Sequence, residues 1–462
     1  MKKGIVAGYM VPHPPMIVPA VGKGSEAQIK ETIRAYETVA DEIASIRPET
    51  IVITSPHATM YADYFHVSPG RQAVGSFARF NAPEVSFSEI YDEEVTARIS
   101  YLADRWHVEA GTLGERDAQL DHGTMVPLWF IRNRYDGGKI VRIGLSGLSL
   151  CDHYRLGMLI REAVEEAGRS AVFVASGDLS HKLKKYGPYG FAKEGPEYDD
   201  KIMDVCARAA FGEMLDFDET FCEKAAECGH RSFVIMAGAF DGIDVEAKVL
   251  SHQDVTGVGY GVCTFRPKEA DESRHFLDRY LKKWESRDQA EDAYVNLARR
   301  SMEGYIVRKE VLNVPDDLPE EMLHKRAGTF VSIHAFGRLR GCIGTIAPTR
   351  GCIAEEIIHN AISASTEDPR FPAITEDELK WLSIHVDVLG EPEDIESEKE
   401  LDVKKYGVIV SSGFRRGLLL PDLDGVDTVE EQISIARQKA GIGPGEKISL
   451  QRFTVTRHEA DA

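Results

Sequence analysis

The sequence lacks the features of several protein classes. No unbroken apolar run approaches the ~18 residues of a membrane-spanning helix, so we expect no membrane association. The seven cysteines are scattered and never spaced as C-x-x-C, which argues against a disulfide framework, a zinc ribbon and an iron–sulfur cluster. A net charge of −20 repels phosphate backbones and disfavours nucleic acid as a partner. Together these absences favour a cytoplasmic location.

The length of the chain and a change in its composition predict two domains. The 462 residues exceed what one hydrophobic core usually serves. Residues 268–287 hold many charges and few apolar side chains, and we interpret them as a linker between a domain at 1–267 and another at 288–462. A solvated helix that belongs to either domain is compatible with the same composition.

The first domain alternates apolar runs with amphipathic segments, the pattern of an α/β fold with a central sheet flanked by helices. Its strands are predicted at GIVAGYMV, TIVITS, KIVRIGLSG, SAVFVAS and GVGYGVCTF. The second domain reads as α+β, with strands at TFVSIHAF, LRGCIGTI, LSIHVDVL and YGVIVSS. Its last helix is predicted to begin with a capping box of Thr428 and Glu431 and to end near Gly441.

Three histidines follow predicted strands of the first domain. His13, His57 and His181 each lie in the loop after an apolar run. Since ligands of open α/β sheets bind at the carboxyl ends of the strands, we expect these residues to form one site. Two neutral imidazoles and a carboxylate suit ferrous iron and leave positions for substrate and dioxygen, and His13 and His57 fit this role. The alternative for any single histidine is a core or surface residue without a ligand.

The sequence around these histidines resembles a known family. The segments MVPHPPMIVP, ITSPHATMYADYF, LDHGTMVPLWF and SGDLSHKL look like the class III extradiol dioxygenases, whose LigB-like fold also houses the Memo-type proteins. The resemblance runs from the first strand to about residue 265 and implies an Fe(II) site. In it, His13 and His57 match the two histidine ligands and His181 matches the acid/base histidine. His122 matches a histidine that donates to bound substrate or oxygen, and Asp178 would orient His181 or a water molecule.

The third metal ligand has alternatives. In ring-cleaving members it is a glutamate late in the domain, and Glu227 is the matching carboxylate. Memo-like relatives resemble this stretch with Cys-Gly-Arg, which makes Cys228 the alternative ligand, and a thiolate suits copper or zinc. His230 is a further option. Cys228 is otherwise read as a small buried hydrophobe.

Several functions follow from the resemblance. The first is a non-heme oxidoreductase that cleaves a catechol- or aminophenol-like ring with dioxygen through Fe(II). The second keeps the metal but not ring cleavage, as a Memo-like metalloprotein. The third is a non-catalytic metal-binding scaffold. The presence of His181 argues against it, because a scaffold has no need of an acid/base residue. The expected partners are an aromatic small molecule and dioxygen, and a homo-oligomer is compatible with this picture.

The second domain resembles the AMMECR family over roughly residues 288–457. The resemblance rests on LRGCIGT, EEIIHNAISASTEDPRFPAIT, LSIHVDVLGEPEDI and GLLLPDL. Domains of this type occur beside Memo-like and radical-SAM proteins, which implies a radical-SAM protein as a partner.

Four residues of the second domain are candidates for a site. Arg340 would favour a reactive thiolate at Cys342. The alternative for Cys342 is a small residue packed where backbones approach closely. Asp368 and Arg370 form either a loop ion pair or part of a polar pocket.

Overall fold

The computed structural model describes residues 3–114, 119–285, 292–336, 338–423 and 425–459. The chain divides into two compact units, Met1–Tyr280 and Leu281–Ala462. This division falls inside the charged segment 268–287, of which residues 286 and 287 lie outside the described part. Within the described residues, every helix is too short or too polar to cross a bilayer.

A mixed sheet forms the centre of the first unit. The strands of this unit are β1 (Gly4–Val11), β2 (Thr50–Ser55), β3 (Phe65–His66), β4 (Gln72–Phe77), β5 (Ala82–Ile90), β6 (Ala110–Gly111), β7 (Lys139–Gly144), β8 (Ser170–Ser176), β9 (Ile243–Gln253) and β10 (Tyr260–Ala270). Six of them make the central sheet, in the order β7-β2-β8-β1-β10-β9. The first four run parallel, while β10 and β9 are antiparallel to their neighbours. β3 pairs with β6, and β4 pairs with β5.

Helices cover both faces of this sheet. The helices of this unit are α1 (Pro19–Gly22), α2 (Lys30–Ile46), α3 (Glu93–Trp106), α4 (His122–Arg132), α5 (Leu150–Glu166), α6 (Glu194–Ala207), α7 (Glu219–Ala225) and α8 (His230–Gly238), and α9 (Phe276–Glu285) crosses the boundary after Tyr280. α4 packs against β2 and β8, and α8 packs against the same two strands. Every residue of β2 and β8 is buried, as expected for parallel strands with both faces covered. The predicted α/β fold is confirmed.

Two antiparallel four-stranded sheets build the second unit. Its strands are β11 (Thr329–Ala335), β12 (Arg338–Gly344), β13 (Leu382–Leu389), β14 (Glu393–Ile395), β15 (Gly407–Ser412), β16 (Arg415–Leu419), β17 (Ser449–Phe453) and β18 (Val455–His458). They pair in the orders β12-β11-β13-β18 and β14-β17-β15-β16.

The helices of the second unit pack on these two sheets. They are α10 (Ala293–Arg308), α11 (Glu320–His324), α12 (Ile353–Thr366) and α13 (Val429–Lys439). α12 packs on β11 and β12, and α13 packs on β15 and β16. The predicted capping box of Thr428 and Glu431 begins α13, and Gly441 follows this helix with φ +63°. The α+β prediction is confirmed.

Candidate metal centre

The carboxyl ends of β1, β2 and β8 meet at one edge of the central sheet. The three strands run parallel and lie side by side in the order β2-β8-β1. His13 follows β1 and His57 follows β2, while Asp178 and His181 follow β8. The edge therefore receives four polar side chains where ligands of open α/β sheets bind.

Three donor atoms converge at this edge. Nε2 of His57 lies 3.1 Å from Nε2 of His13, and Sγ of Cys228 lies 3.6 Å from the same His13 nitrogen. All three atoms lie within 4.8 Å of one another. Cys228 also forms a group of this size with Asp178 and His181. Imidazole and thiolate donors suit transition metals, so the residues present fit an ion of that class.

Ser176 selects the tautomer of His13 that a metal ligand needs. Nδ1 of His13 lies 3.0 Å from Oγ of Ser176, and this hydroxyl donates its own hydrogen to the carbonyl of Gly123 at 2.6 Å. Ser176 can therefore only accept from Nδ1–H, which leaves a lone pair on Nε2 at the cluster. Burial lowers the pKa of His13 to about 3, so the ring is neutral at pH 7.

Asp178 connects the loops after β1 and β8. Its Oδ1 accepts a hydrogen bond from the backbone N–H of His13 at 2.7 Å. The hydroxyl of Tyr36 donates to the carbonyl of Pro12, which fixes the same loop from the other side. Burial raises the pKa of Asp178 above its ordinary value. The position of His13 thus depends on contacts made to both its backbone and its ring.

The loop that carries Cys228 lies directly against the end of β8. A Cβ atom on Gly177 would lie 2.1 Å from Cα of Gly229, so this approach requires glycine. The backbone N–H of Asp178 donates to Sγ of Cys228 at 3.3 Å. Burial raises the pKa of the Cys228 thiol well above its ordinary value. A bound cation would therefore be needed to hold this sulfur as a thiolate.

His122 lies beside His13 and His57. It is the first residue of α4, and its ring centroid is 4.0 Å from that of His57 and 5.5 Å from that of His13. Burial lowers the pKa of His122 to about 4. The preceding residue, Asp121, caps α4 and lies 3.3 Å from the buried guanidinium of Arg142. This pair fixes the helix start that presents His122.

The hydrogen bonding of His181 leaves one ring nitrogen able to accept a proton. Its Nδ1 donates to the carbonyl of Ala226, so in the neutral ring Nε2 carries the lone pair. That Nε2 lies 3.9 Å from Oδ2 of Asp178, and the ring of Tyr189 meets His181 edge-on at 5.1 Å between centroids. An imidazole held beside the cluster suits general acid/base chemistry.

Comparison with known families decides what this domain is. The family described as the catalytic LigB subunit of aromatic ring-opening dioxygenase matches residues 7–263, more than half of the chain. The chain belongs to the LigB family. The AMMECR1 family matches residues 295–461, so both predicted resemblances are confirmed within one chain.

Relatives match the whole chain or about a third of it. Protein CA_C1420 of Clostridium acetobutylicum is 43% identical over 462 residues, which cover 98% of each chain. A protein of Thermotoga maritima is 51% identical over 171 residues, 37% of this chain and 98% of that protein. The solved structure of protein PH0010 from Pyrococcus horikoshii is 32% identical, with a TM-score of 0.34, and covers 36% of this chain and 88% of its own.

Within the LigB domain, Glu227 is not among the residues whose donor atoms converge. Its Oε2 accepts a hydrogen bond from the backbone N–H of His230 at 2.6 Å, and burial raises the pKa of Glu227 to about 7. Of the two predicted third ligands, Cys228 is the one whose donor atom lies beside His13. The identity of the third ligand stays a prediction that metal binding has to test.

His230 has both ring nitrogens occupied in the protein core. Nε2 lies 2.9 Å from the carbonyl of Met214, and Nδ1 lies 3.2 Å from the hydroxyl of Tyr198. Because a carbonyl only accepts, Nε2 donates to Met214 and Nδ1 accepts from Tyr198. The structure therefore does not bring His230 to the donor cluster.

Three of the four candidates in the AMMECR1 domain lie together. Oδ2 of Asp368 accepts from the backbone N–H of Cys342 at 2.9 Å and lies 2.7 Å from Nη2 of Arg370. Asp368 and Arg370 thus form the predicted ion pair and also border Cys342. Arg340 instead forms an ion pair with Glu378, with Nε and Oε2 2.7 Å apart.

Sequence reasoning missed two residues at the LigB site. Ser176 is the last residue of β8, and a hydroxyl at the buried end of an apolar strand was an available signal. Tyr189 gave no signal, because only the tertiary path of its loop brings the ring to His181.

Proposed function

We propose that the LigB domain is a metal-dependent oxidoreductase in which His13, His57 and Cys228 bind a transition-metal ion. The observation that supports this proposal is the convergence of their donor atoms within 4.8 Å at the carboxyl edge of the sheet. Iron(II) is the proposed metal, because reaction with dioxygen needs a redox-active ion and imidazole ligands suit iron. Copper also fits the thiolate, whereas zinc would bind without redox chemistry.

The proposed substrate is a catechol- or aminophenol-like ring. When bound, the metal would supply Lewis acidity and electron exchange with dioxygen. His181 would accept a proton at Nε2 from a hydroxyl group of the substrate and return it to the product. Asp178 would orient the imidazole of His181, and His122 would donate a hydrogen bond to an oxygen atom of the bound substrate.

A second candidate function keeps the metal without ring cleavage. The position of Cys228 favours it, since a sulfur rather than the carboxylate of Glu227 lies beside His13. A thiolate ligand donates more electron density than a carboxylate and selects softer ions. In this alternative the protein is a Memo-like metalloprotein that acts with a radical-SAM partner.

Oxygen uptake by the metal-loaded protein separates the two candidates. The full chain is loaded anaerobically with iron(II), copper or zinc and then given oxygen with a panel of catechols and aminophenols. Iron-dependent uptake with ring-opened product supports the first candidate. Stoichiometric metal binding without uptake for any ring supports the second. A protein that binds none of the three ions contradicts both.

A further inference from the structure

One edge of the ribbon formed by β4 and β5 is open. The backbone N–H of Tyr91 donates to the carbonyl of Arg71 at 2.9 Å, so these two residues form a hydrogen-bonded pair across the ribbon. Hydrogen-bonded and non-hydrogen-bonded pairs alternate along antiparallel strands, and Ser86, Ser88 and Ile90 therefore direct their N–H and C=O groups away from β4. In the described part of the chain, no hydrogen bond reaches these groups. The edge of β5 can therefore accept another strand.

The opposite edge of the same ribbon is covered. The N–H of Leu120 donates to the carbonyl of Val74 at 2.8 Å, and Gln119 forms a parallel bridge with Val74. Val74 lies opposite Ser88 in the ladder, so its carbonyl points away from β5, as the alternation requires. The chain thus pairs one edge of this ribbon with its own backbone and leaves the edge of β5 without such a partner among the described residues.

A groove of about 1080 Å³ runs along the open edge. Its other wall is formed by the end of α4 and the loop 133–139. Val85, Phe87 and Trp129 line the groove and are half-buried, and Ile90 is 61% exposed. Open backbone groups beside partly exposed apolar side chains are the features that an added β-strand binds.

Positive charge lies at the end of the groove where β5 ends. Lys139 is there, because the carbonyl of its neighbour Ile140 accepts a hydrogen bond from the N–H of Asp92 at 2.9 Å. The N–H of Lys139 donates to the carbonyl of Glu49, which brings Arg47 to the same end. Arg47 and Lys139 are exposed, line the groove and have no ion-pair partner among the residues that the structure describes.

Negative charge lies near the start of β5. Glu84 is exposed, lines the groove and has no ion-pair partner within the described ranges. It precedes Ile90 by on the order of 15–20 Å along the strand, too far to neutralise Arg47 or Lys139 of the same chain. Exposed Asp136 offsets one of the two cations, so the far end of the groove keeps a net positive charge. The groove is therefore complementary in charge to its own edge strand turned through 180°.

We propose that two copies of this chain dimerise through this groove, with their β5 strands antiparallel about a two-fold axis at Ser88. Ser86 of each copy then lies opposite Ile90 of the other. The outward N–H and C=O groups of these residues form about six backbone hydrogen bonds between the copies. A sheet of four strands results, in which neither copy of β5 is an edge strand, and the half-buried ring of Phe87 is covered further.

The distribution of charge favours a second copy over an unrelated strand as the occupant. The two-fold rotation brings Glu84 of each copy to the end of the groove where the other copy carries Arg47 and Lys139. Each dimer gains this attraction twice, since the interface of a two-fold dimer repeats every contact. A strand of different sequence would leave these unpaired charges without their matching partners.

The concentration dependence of the mass of the full chain tests this proposal. Sedimentation velocity should show a reversible monomer–dimer equilibrium. Ser88→Pro removes an N–H group that β4 does not use, so this variant should keep the ribbon and lose the dimer. Ser88→Ala keeps the N–H group and is the matched control. A chain that is monomeric at every concentration, or a dimer that Ser88→Pro leaves intact, would overturn the proposal.

Charge reversal tests the pairing without altering the backbone. Glu84→Lys and Lys139→Glu should each raise the dissociation constant of the dimer about tenfold or more, because two exposed ion pairs per dimer become repulsive. The double variant should recover much of the lost affinity. Glu37→Lys changes an exposed acid on α2 and serves as the control. Single variants that dimerise like the unmodified chain, or a double variant without recovery, would contradict the two-fold pairing of β5.

Discussion

Nε2 of His13 lies 3.1 Å from Nε2 of His57, although the two residues are 44 positions apart and follow strands that are not neighbours in the sheet. The strand between them is β8, whose Ser176 fixes the ring of His13. Nε2 of His13 carries a lone pair, so the short distance between the two Nε2 atoms is favourable when a proton or a cation lies between them. The relationship between these two atoms is the basis of the proposed metal site.

Metal stoichiometry distinguishes the two candidates for the third ligand. Cys228→Ala should lower metal affinity by at least tenfold, since it removes a donor atom from the cluster. Glu227→Gln should leave affinity within about twofold, because this carboxylate bonds to the backbone of His230. Elemental analysis and titration calorimetry measure both effects, with Cys222→Ala as the buried-cysteine control. The reverse order of effects would assign Glu227 as the ligand.

The hydroxyl of Ser176 should contribute to metal affinity without touching the ion. Ser176→Ala removes the acceptor for Nδ1–H of His13, which then no longer favours one tautomer. Loss of such a partner typically weakens metal binding about 10- to 100-fold. Ser170→Ala, at the other end of β8, is the matched control and should leave affinity unchanged. Equal affinity of both variants would show that Ser176 does not orient the ligand.

His181 should be needed for turnover and not for metal binding. With any substrate that the oxygen-uptake panel identifies, His181→Ala should lower kcat by about 10²- to 10⁴-fold, the usual contribution of a general acid/base. Metal content should stay near that of the unmodified protein, because the donor atoms of His13, His57 and Cys228 remain. Loss of metal together with activity would instead make His181 a ligand.

The contact between Gly177 and Gly229 should be intolerant of a methyl group. Gly229→Ala places a Cβ 2.4 Å from the ring of Phe233, which has to shift together with the Cys228 loop. Overpacking of this kind costs about 1–3 kcal/mol, and we expect lower metal affinity as well as lower thermal stability. Gly445→Ala meets no atom within 4 Å and is the control. A Gly229→Ala variant with unchanged affinity and stability would contradict this packing.

Acid should destabilise the second domain through His334. Burial, and then the positive charge of His385, lower the pKa of His334 to about 4, from 6.5 in an exposed chain. The unfolded state therefore binds a proton more readily, and the free energy of unfolding decreases as the pH falls from 6.5 towards 4. NMR titration of labelled histidines should give His334 a midpoint near 4. A midpoint near 6.5 would contradict its burial against His385, whose ring centroid lies 4.8 Å away.

Continuous apolar runs made the central sheet predictable. Every residue of β2 and β8 is buried, so both strands appear in the sequence as largely apolar runs without alternating polar residues. The loops that follow them were correctly placed at one edge of the sheet. The hairpin of β4 and β5 was not predicted. Exposed and buried residues mix along β5, and its sequence APEVSFSEI holds few residues that favour strands over loops.

The sequence alone could not identify the third metal ligand, because the two candidates are adjacent in the chain. Glu227 and Cys228 are adjacent, and which of them faces His13 depends on the approach of Gly229 to Gly177, a contact 52 residues apart that no local pattern encodes. The strand and the helix on either side could be predicted from the sequence, whereas the meeting of these two loops could not.

Anomalous scattering from crystals grown without added metal is the most direct test of the proposed metal site. Data collected on both sides of the iron, copper and zinc absorption edges identify the bound element and locate it among the protein atoms. We expect one transition-metal peak within bonding distance of Nε2 of His13, Nε2 of His57 and Sγ of Cys228. A peak bound by Glu227 with Cys228 turned away would contradict this expectation, as would the absence of a peak at this edge of the sheet both in these crystals and in crystals soaked with each of the three metals.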